Sequence, residues 1–161
     1  EDVAVVNISI SQDQNQAVFT LGTTILSSRL IDGAFPSWEK IIPTEIVTKI
    51  TLDKNDFVKA IKLAAVFSKS EANIIKMIIK KDGLSLESSA KELGSQENTL
   101  EANVEGAELQ IAFNTKFLLD AISNIPTAQV VMEFSGALTA TLVKPVGEEG
   151  LEFIIMPVRL S

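Results

Sequence analysis

One pattern of apolar residues is written twice in this chain, and that duplication constrains the fold more than any other feature. Residues 49–52 (Lys-Ile-Thr-Leu) read as a short strand running into Asp53, after which apolar residues recur at helical spacing to about Ser68. Residues 109–113 (Leu-Gln-Ile-Ala-Phe) do the same before Asn114, with a helical pattern to about Ile125. Asp53 and Asn114 suit an N-cap, where a short polar side chain accepts from backbone N–H groups that the first turn leaves unpaired. Apolar residues stand at the staple positions around each cap, Leu52 with Phe57 and Phe113 with Leu118. Pro126 has no N–H to donate and stops the second pattern.

After each helix the chain reads strand, turn, strand, and then one strand more. In the first unit residues 74–80 are β-rich, Lys81-Asp82-Gly83 turns, 84–89 alternates, and 99–104 gives the last strand. In the second, residues 130–135 are followed by Gly136-Ala137, then 138–143, then 151–158. The order strand, helix, strand, strand, strand therefore occurs twice between Lys49 and Leu160. Residues 3–10, 17–22 and 24–31 give three more strands without a helix and resemble the close of such a unit, so the chain is expected to start inside a domain. Gly33-Ala34-Phe35-Pro36 and then Pro43 mark the connection between the parts. The economical packing is α+β, a β-sheet layer on two amphipathic helices.

What the chain lacks narrows its chemistry. It has no histidine, cysteine or tyrosine, which removes the usual zinc ligands and the Ser-His and Cys-His pairs. Glycine-rich phosphate loops are missing too, so no metal and no cofactor is expected. At 161 residues and 46% hydrophobic content there is room for one full domain and part of another. No stretch looks like a signal peptide or is long enough to span a bilayer, and a cytoplasmic protein without membrane contact is expected. Asn7-Ile8-Ser9 matches a glycosylation acceptor by chance. A net charge of -7 argues against tight grip on nucleic acid over the whole surface, yet leaves room for a local basic face.

The first helix is expected to bury Phe57, Ala60, Ile61, Ala64 and Phe67, with Asn55, Lys59, Lys62 and Lys69 opposite. Two readings of those lysines stand: a solvated face, or a weak stripe for non-specific, exchangeable contact with phosphate. Val66 falls among them, either as an ordinary exposed valine or as part of a subunit contact. The second helix is expected to bury Phe117, Leu118, Ala121, Ile122 and Ile125, leaving Lys116, Asp120, Ser123 and Asn124 outside.

Three segments together resemble the bacterial DNA sliding clamp, the beta subunit of DNA polymerase III. Ile31-Asp32-Gly33-Ala34-Phe35-Pro36, with Ile41-Ile42-Pro43, resembles the connector from that family's middle domain to its last. Phe113-Asn114-Thr115-Lys116-Phe117-Leu118-Leu119-Asp120 resembles the entry to the last domain's second helix, and Phe153-Ile154-Ile155-Met156-Pro157-Val158-Arg159-Leu160 the C-terminal signature. The resemblance runs through essentially the whole chain. It implies a non-catalytic processivity factor, in which three copies of one domain per chain and two chains head to tail close a ring. Helices line the hole, sheets form the outside, and the ring slides on duplex DNA while tethering the polymerase.

On that resemblance residues 1–43 are the end of the middle domain and residues 44–161 the complete last one. The implied partners are duplex DNA without sequence preference, the DNA polymerase III catalytic subunit, the clamp loader, other proteins with a clamp-binding motif, and a second copy as homodimer when full length. The implied peptide pocket takes Pro36, Lys40 and Ile41 from the connector, and Leu138 and Ala140 from a late strand. Ile154, Ile155, Met156, Pro157, Val158, Arg159 and Leu160 complete it. Apolar groups with a flexible methionine suit Leu or Phe side chains of a linear motif, and Arg159 and Lys40 suit its polar or acidic parts. The same terminal residues also read as a buried last strand. Lys59, Lys62, Lys69 and Lys116 would face DNA, and Val66 and Phe67 would meet the second subunit.

Departures from the family's pattern are Lys40 where arginine is common, Ala140 where a hydroxyl residue is common, and a less basic Ser70-Glu71-Ala72-Asn73 loop. Two other functions stay in view. A β-rich adhesion module explains the strands and acidity but not the paired capped helices. A carboxylate hydrolase would use Glu148, Glu149 and Glu152, which also read as a solvated loop and strand.

Overall fold

The computed structural model describes residues 5–35, 37–68, 73–90 and 94–159. The chain divides into two compact units, Glu1–Ser37 and Trp38–Ser161. The first holds β1 (Asn7–Ile10), β2 (Gln16–Leu21) and β3 (Thr24–Arg29) in one antiparallel sheet of that order. Side chains alternate across a strand, so the register puts Ile8, Phe19 and Leu26 on one face and Asn7, Thr20 and Ile25 on the other.

The second unit opens with a 3-10 turn at Trp38–Lys40 and then carries the duplicated pattern. The first copy is β4 (Thr48–Asp53), α1 (Lys54–Ser68), β5 (Ile74–Lys80), β6 (Gly83–Ala90) and β7 (Gly94–Leu100), followed by β8 (Asn103–Gly106). The second is β9 (Leu109–Asn114), α2 (Thr115–Ser123), β10 (Gln129–Phe134), β11 (Thr141–Pro145) and β12 (Phe153–Ile155).

The α+β class holds, the expected β-sheet layer being built from two antiparallel sheets, and the two copies exchange their first strands. β4 leaves its own copy to pair with β10 in the sheet β12-β11-β10-β4-β8, while β9 pairs with β5 in the sheet β7-β6-β5-β9. The pairing sets Leu52 opposite Val130 and Ile50 opposite Met132, and Phe113 opposite Ile75 and Ile111 opposite Met77. All eight side chains are buried in one core with Phe57, Ile61, Leu118 and Ile122 from the helices. Each such burial contributes roughly 1.5–3 kcal/mol, so neither copy keeps its core without the other's strand.

Local chemistry places the helices where the sequence expects them. The Asp53 carboxylate accepts the Asp56 N–H at 3.0 Å, and the Asn114 side chain accepts the Lys116 N–H at 3.0 Å. The end of α2 is fastened across the repeat, because the Lys54 ammonium donates to the Ile125 carbonyl at 3.0 Å. A cation there complements the negative end of the helix dipole. Gly83, at φ +144, follows the β5–β6 turn, and a Cβ there would lie 2.6 Å from the Leu100 carbonyl oxygen. Only glycine accommodates that approach.

Five expectations need correction. The strand expected over residues 99–104 is the junction of two: Leu100 ends β7 against Leu84, whereas Asn103 starts β8 against Thr51 in the other sheet. Leu100, Ala102 and Val104 all pack against the core, so the alternation runs unbroken through the change of sheet. The strand expected over 138–143 starts only at Thr141, because the turn after Phe134 is longer than Gly136-Ala137 and takes in Leu138. The strand expected over 151–158 is confined to Phe153–Ile155. Phe117 is 62% exposed instead of buried, and Phe67 is only half-buried, with Ser68 taking the inward position on α1.

Candidate functional site

The exposure of Phe117 follows from where α2 sits. Leu118, Ala121 and Ile122 face the core, so a residue one position earlier is swung toward one flank of the helix. Along that flank a cavity of about 500 Å³ is lined by Asn114, Phe117, Asp120, Ala121 and Asn124. Its opposite wall is Phe153, Ile154, Ile155, Met156 and Val158 from the C-terminal segment. That segment is fixed on both sides of the cavity: Ile155 pairs with Thr141 of β11, and the Val158 N–H donates to the Ala112 carbonyl of β9 at 2.8 Å. It thus crosses from one sheet to the other, holding Met156 beside α2. Phe117 and Met156 stay 62% and 59% exposed, a concave apolar surface with a flexible thioether at its rim.

The duplication produces a counterpart on α1. A cleft of about 990 Å³ is lined by Asp53, Asp56, Lys59, Ala60 and Leu63 and by residues 98–103, where β7 passes into β8. Counted from the two N-caps, these helix positions are those of Asn114, Phe117, Asp120, Ala121 and Asn124. The scaffold is shared and the chemistry is not. Where α2 has Phe117 and Asp120, α1 has Asp56 and Lys59, which pair at 2.9 Å. The Asp56 carboxylate accepts from Lys59 and raises its pKa above the usual lysine value, and the coulombic attraction of the same carboxylate adds to the shift. Where the α2 cavity presents the apolar ring of Phe117, the α1 cleft therefore presents a carboxylate, and that carboxylate answers the charge of Lys59.

Residues 39–159 match the family model described as DNA polymerase III beta subunit, C-terminal domain. The chain belongs to the DNA polymerase III beta subunit family. It is 32% identical over 155 residues to a beta sliding clamp of Staphylococcus aureus, covering 95% of this chain and 41% of that one. Crystal structures show the same likeness. A Bartonella birtlesii sliding clamp superimposes with a TM-score of 0.84 at 28% identity, covering 96% of this chain and 41% of the other. The sliding clamp of Bacillus subtilis gives 0.81 at 29%, covering 97% and 41%. The chain thus spans about two fifths of the length of the clamps it matches.

The residues expected to form the clamp's peptide pocket are only partly brought together. Ile154, Ile155, Met156 and Val158 line the cavity beside α2. Lys40, Ile41, Leu138, Ala140, Pro157 and Arg159 do not line it, and Pro36 and Leu160 lie outside the described residues. Of these, Ala140 is buried just ahead of β11, while Leu138 is exposed on the preceding turn. Lys59 and Lys62 on α1 and Lys116 on α2 are exposed, and Lys69 lies outside the described residues. Among the described residues Lys62 and Lys116 make no ion pair, whereas Lys59 is held by Asp56. Val66 is 54% exposed, and Leu63, one turn earlier on the same side of α1, is exposed as well.

Sequence reasoning missed the helical wall of the cavity. Phe117, Asp120 and Asn124 are spaced three and four apart, the interval that aligns side chains along a helix, and that spacing was readable. Glu148 and Glu149 stand in a turn between Gly147 and Gly150, and with Glu152 line a separate cavity that also contains Lys49 and Lys144. Among the described residues no group of three acidic, histidine or cysteine side chains is placed to hold a metal ion. No described helix is long and apolar enough to cross a membrane.

Proposed function

We propose that this chain is the peptide-docking part of a sliding clamp, a non-catalytic ring that encircles duplex DNA and tethers the replicative polymerase. One observation carries the reading: the concave apolar surface of Phe117, Ile154, Met156 and Val158 between α2 and the C-terminal segment. Such a surface receives the Leu or Phe anchors of a linear motif, as helix-lined and strand-lined grooves do for many partners. The polymerase catalytic subunit, the clamp loader and other motif-bearing proteins would compete for it. Residues 1–43 are then the end of the middle domain and residues 44–161 the last domain, with Val66 and Phe67 at the contact with a second copy.

Lys59, Lys62 and Lys116 on the helices, together with Lys69, supply weak phosphate attraction within an otherwise acidic body. Retention comes from ring closure, since tight phosphate pairing would slow sliding. The test is fluorescence anisotropy of a labelled Gln-Leu-x-Leu-Phe peptide, titrated with the full-length protein and with a version lacking residues 156–160. Saturable binding that is lost on truncation is expected. Equal binding by both would reject the pocket, and no binding by the folded full-length protein would reject the docking function.

A further inference from the structure

We propose that Asp120 makes the α2 pocket selective for partner segments that carry a cation or an N–H donor beside their apolar anchor, and selective against acidic ones. This inference rests on the peptide-docking reading above. The polar groups of the cavity are unequally free. The Asn114 side-chain oxygen is taken by the Lys116 N–H at 3.0 Å, and the Asn124 amide donates to the Asp120 main-chain carbonyl at 2.8 Å. Among the described residues the Asp120 carboxylate is the one ionisable group lining the cavity. It is exposed and makes no ion pair among those residues. Lys116, one turn earlier, does not line the cavity, and neither do Lys40 or Arg159, the cations expected to greet acidic parts of a ligand.

The duplicated cleft on α1 sharpens the point. At the position of Asp120 it carries Lys59, whose charge is answered within the cleft by Asp56. The α2 pocket has an apolar wall where Asp56 would be, so among the described residues no side chain answers the Asp120 charge, and a ligand can. An exposed carboxylate acts weakly. A favourable contact of about 0.2–1 kcal/mol corresponds to roughly a 1.5- to fivefold change in affinity, enough to rank related peptides without deciding whether they bind.

The experiment measures anisotropy of Gln-Leu-x-Leu-Phe peptides against the full-length protein and its Asp120→Asn variant. Residue x and the residues flanking the motif are set in turn to Ser, Lys or Glu. At one or more positions Lys should bind about two- to fivefold tighter than Glu, the gap narrowing in high salt and closing toward one in Asp120→Asn. Because among the described residues only the main chain of Asp120 is hydrogen-bonded, the variant should fold as the parent does. Equal or tighter binding of Glu peptides at every position would overturn the inference, as would a gap that survives Asp120→Asn. The Ser peptide separates the two claims. If it binds and no charge preference appears, only the role of Asp120 fails; if it does not bind, the docking reading fails and takes this inference with it.

Discussion

The hydroxyls of Ser68 and Thr115 lie 3.0 Å apart, joining the last residue of α1 to the first of α2, and both residues are buried. Thr115 gives its single proton to the Asn73 carbonyl at 2.7 Å, so it accepts from Ser68. Asn73 closes the circuit. It holds φ at 57°, donates its N–H to the Ser68 carbonyl at 2.9 Å, and takes the Thr115 N–H on its own carbonyl at 2.7 Å. The two copies of the repeat are thus bonded at the point where their helices meet.

Thr115→Val keeps the shape and removes the hydroxyl, leaving Ser68 only a long 3.4 Å alternative at the Ala65 carbonyl. A loss of about 1–3 kcal/mol is expected, read as a lower urea midpoint at unchanged slope. Adding Ser68→Ala should cost less than the two single losses summed, by at least about 0.5 kcal/mol. Strict additivity would mean the hydroxyls do not act together.

What the sequence disclosed is what local chemistry controls. Both caps, both helices and the β5–β6 turn depend on residues within a few positions of one another, and Asp53, Asn114 and Gly83 announce them. The strand exchange depends on which distant strand β4 meets. Ile50 and Leu52 alternate in the same way whether the neighbour is β5 or β10, so no pattern within one copy reveals it. The C-terminal wall of the pocket was legible by family likeness. Its helical wall was missed although its spacing was readable, because the apolar Phe117 next to Leu118 reads as core until the helix is seen from its flank.

Phe117 and Leu118 should therefore answer mutation in opposite ways. Leu118 is fully buried, and Leu118→Ala should cost about 2–5 kcal/mol through lost burial and the cavity left behind. Phe117→Ala should alter stability by no more than about 0.5 kcal/mol, yet weaken the motif peptide by about tenfold or more if it is a central anchor. Chemical denaturation and anisotropy on the same two proteins check both halves. A large stability loss in Phe117→Ala with peptide affinity intact would contradict the position assigned to the ring.

The Lys59–Asp56 pair carries a definite pH signature. Hydrogen bonding to Asp56 raises the Lys59 pKa above its ordinary 10.5, so the favourable contribution is complete below that value and fades as pH climbs through the folded-state pKa. Nothing should change between neutral and mildly alkaline pH. In an NMR titration the Lys59 ε-methylene should titrate later than an ordinary lysine, and Asp56→Asn should bring it back. A midpoint insensitive to that substitution would show that the pair does not hold in solution.

The same pairing ranks the lysines toward DNA. Lys59 is already answered by Asp56, whereas Lys62 makes no ion pair among the described residues. Lys62→Glu should shorten retention of the loaded full-length protein on circular duplex DNA more than Lys59→Glu does. Each neutralised phosphate contact changes the salt slope by roughly one unit of log K per log salt. The effect should therefore fade as salt is raised, and equal effects of the two reversals would mean that Asp56 does not restrain Lys59.

Val66 offers the cleanest test of the contact with a second copy. It is 54% exposed, so Val66→Ala removes little from the fold, within about 0.5 kcal/mol. Phe67 is half-buried against its own unit, and its loss mixes folding with association. A lone exposed valine asks for no explanation, but Val66 and Leu63 lie one helical turn apart and form a continuous apolar strip on α1. Val66→Asp places a charge in that strip and should shift the full-length protein from dimer toward monomer in sedimentation, with Val66→Ala intermediate and peptide binding intact in both. A Val66→Asp protein that remains fully dimeric on dilution would remove α1 from the interface.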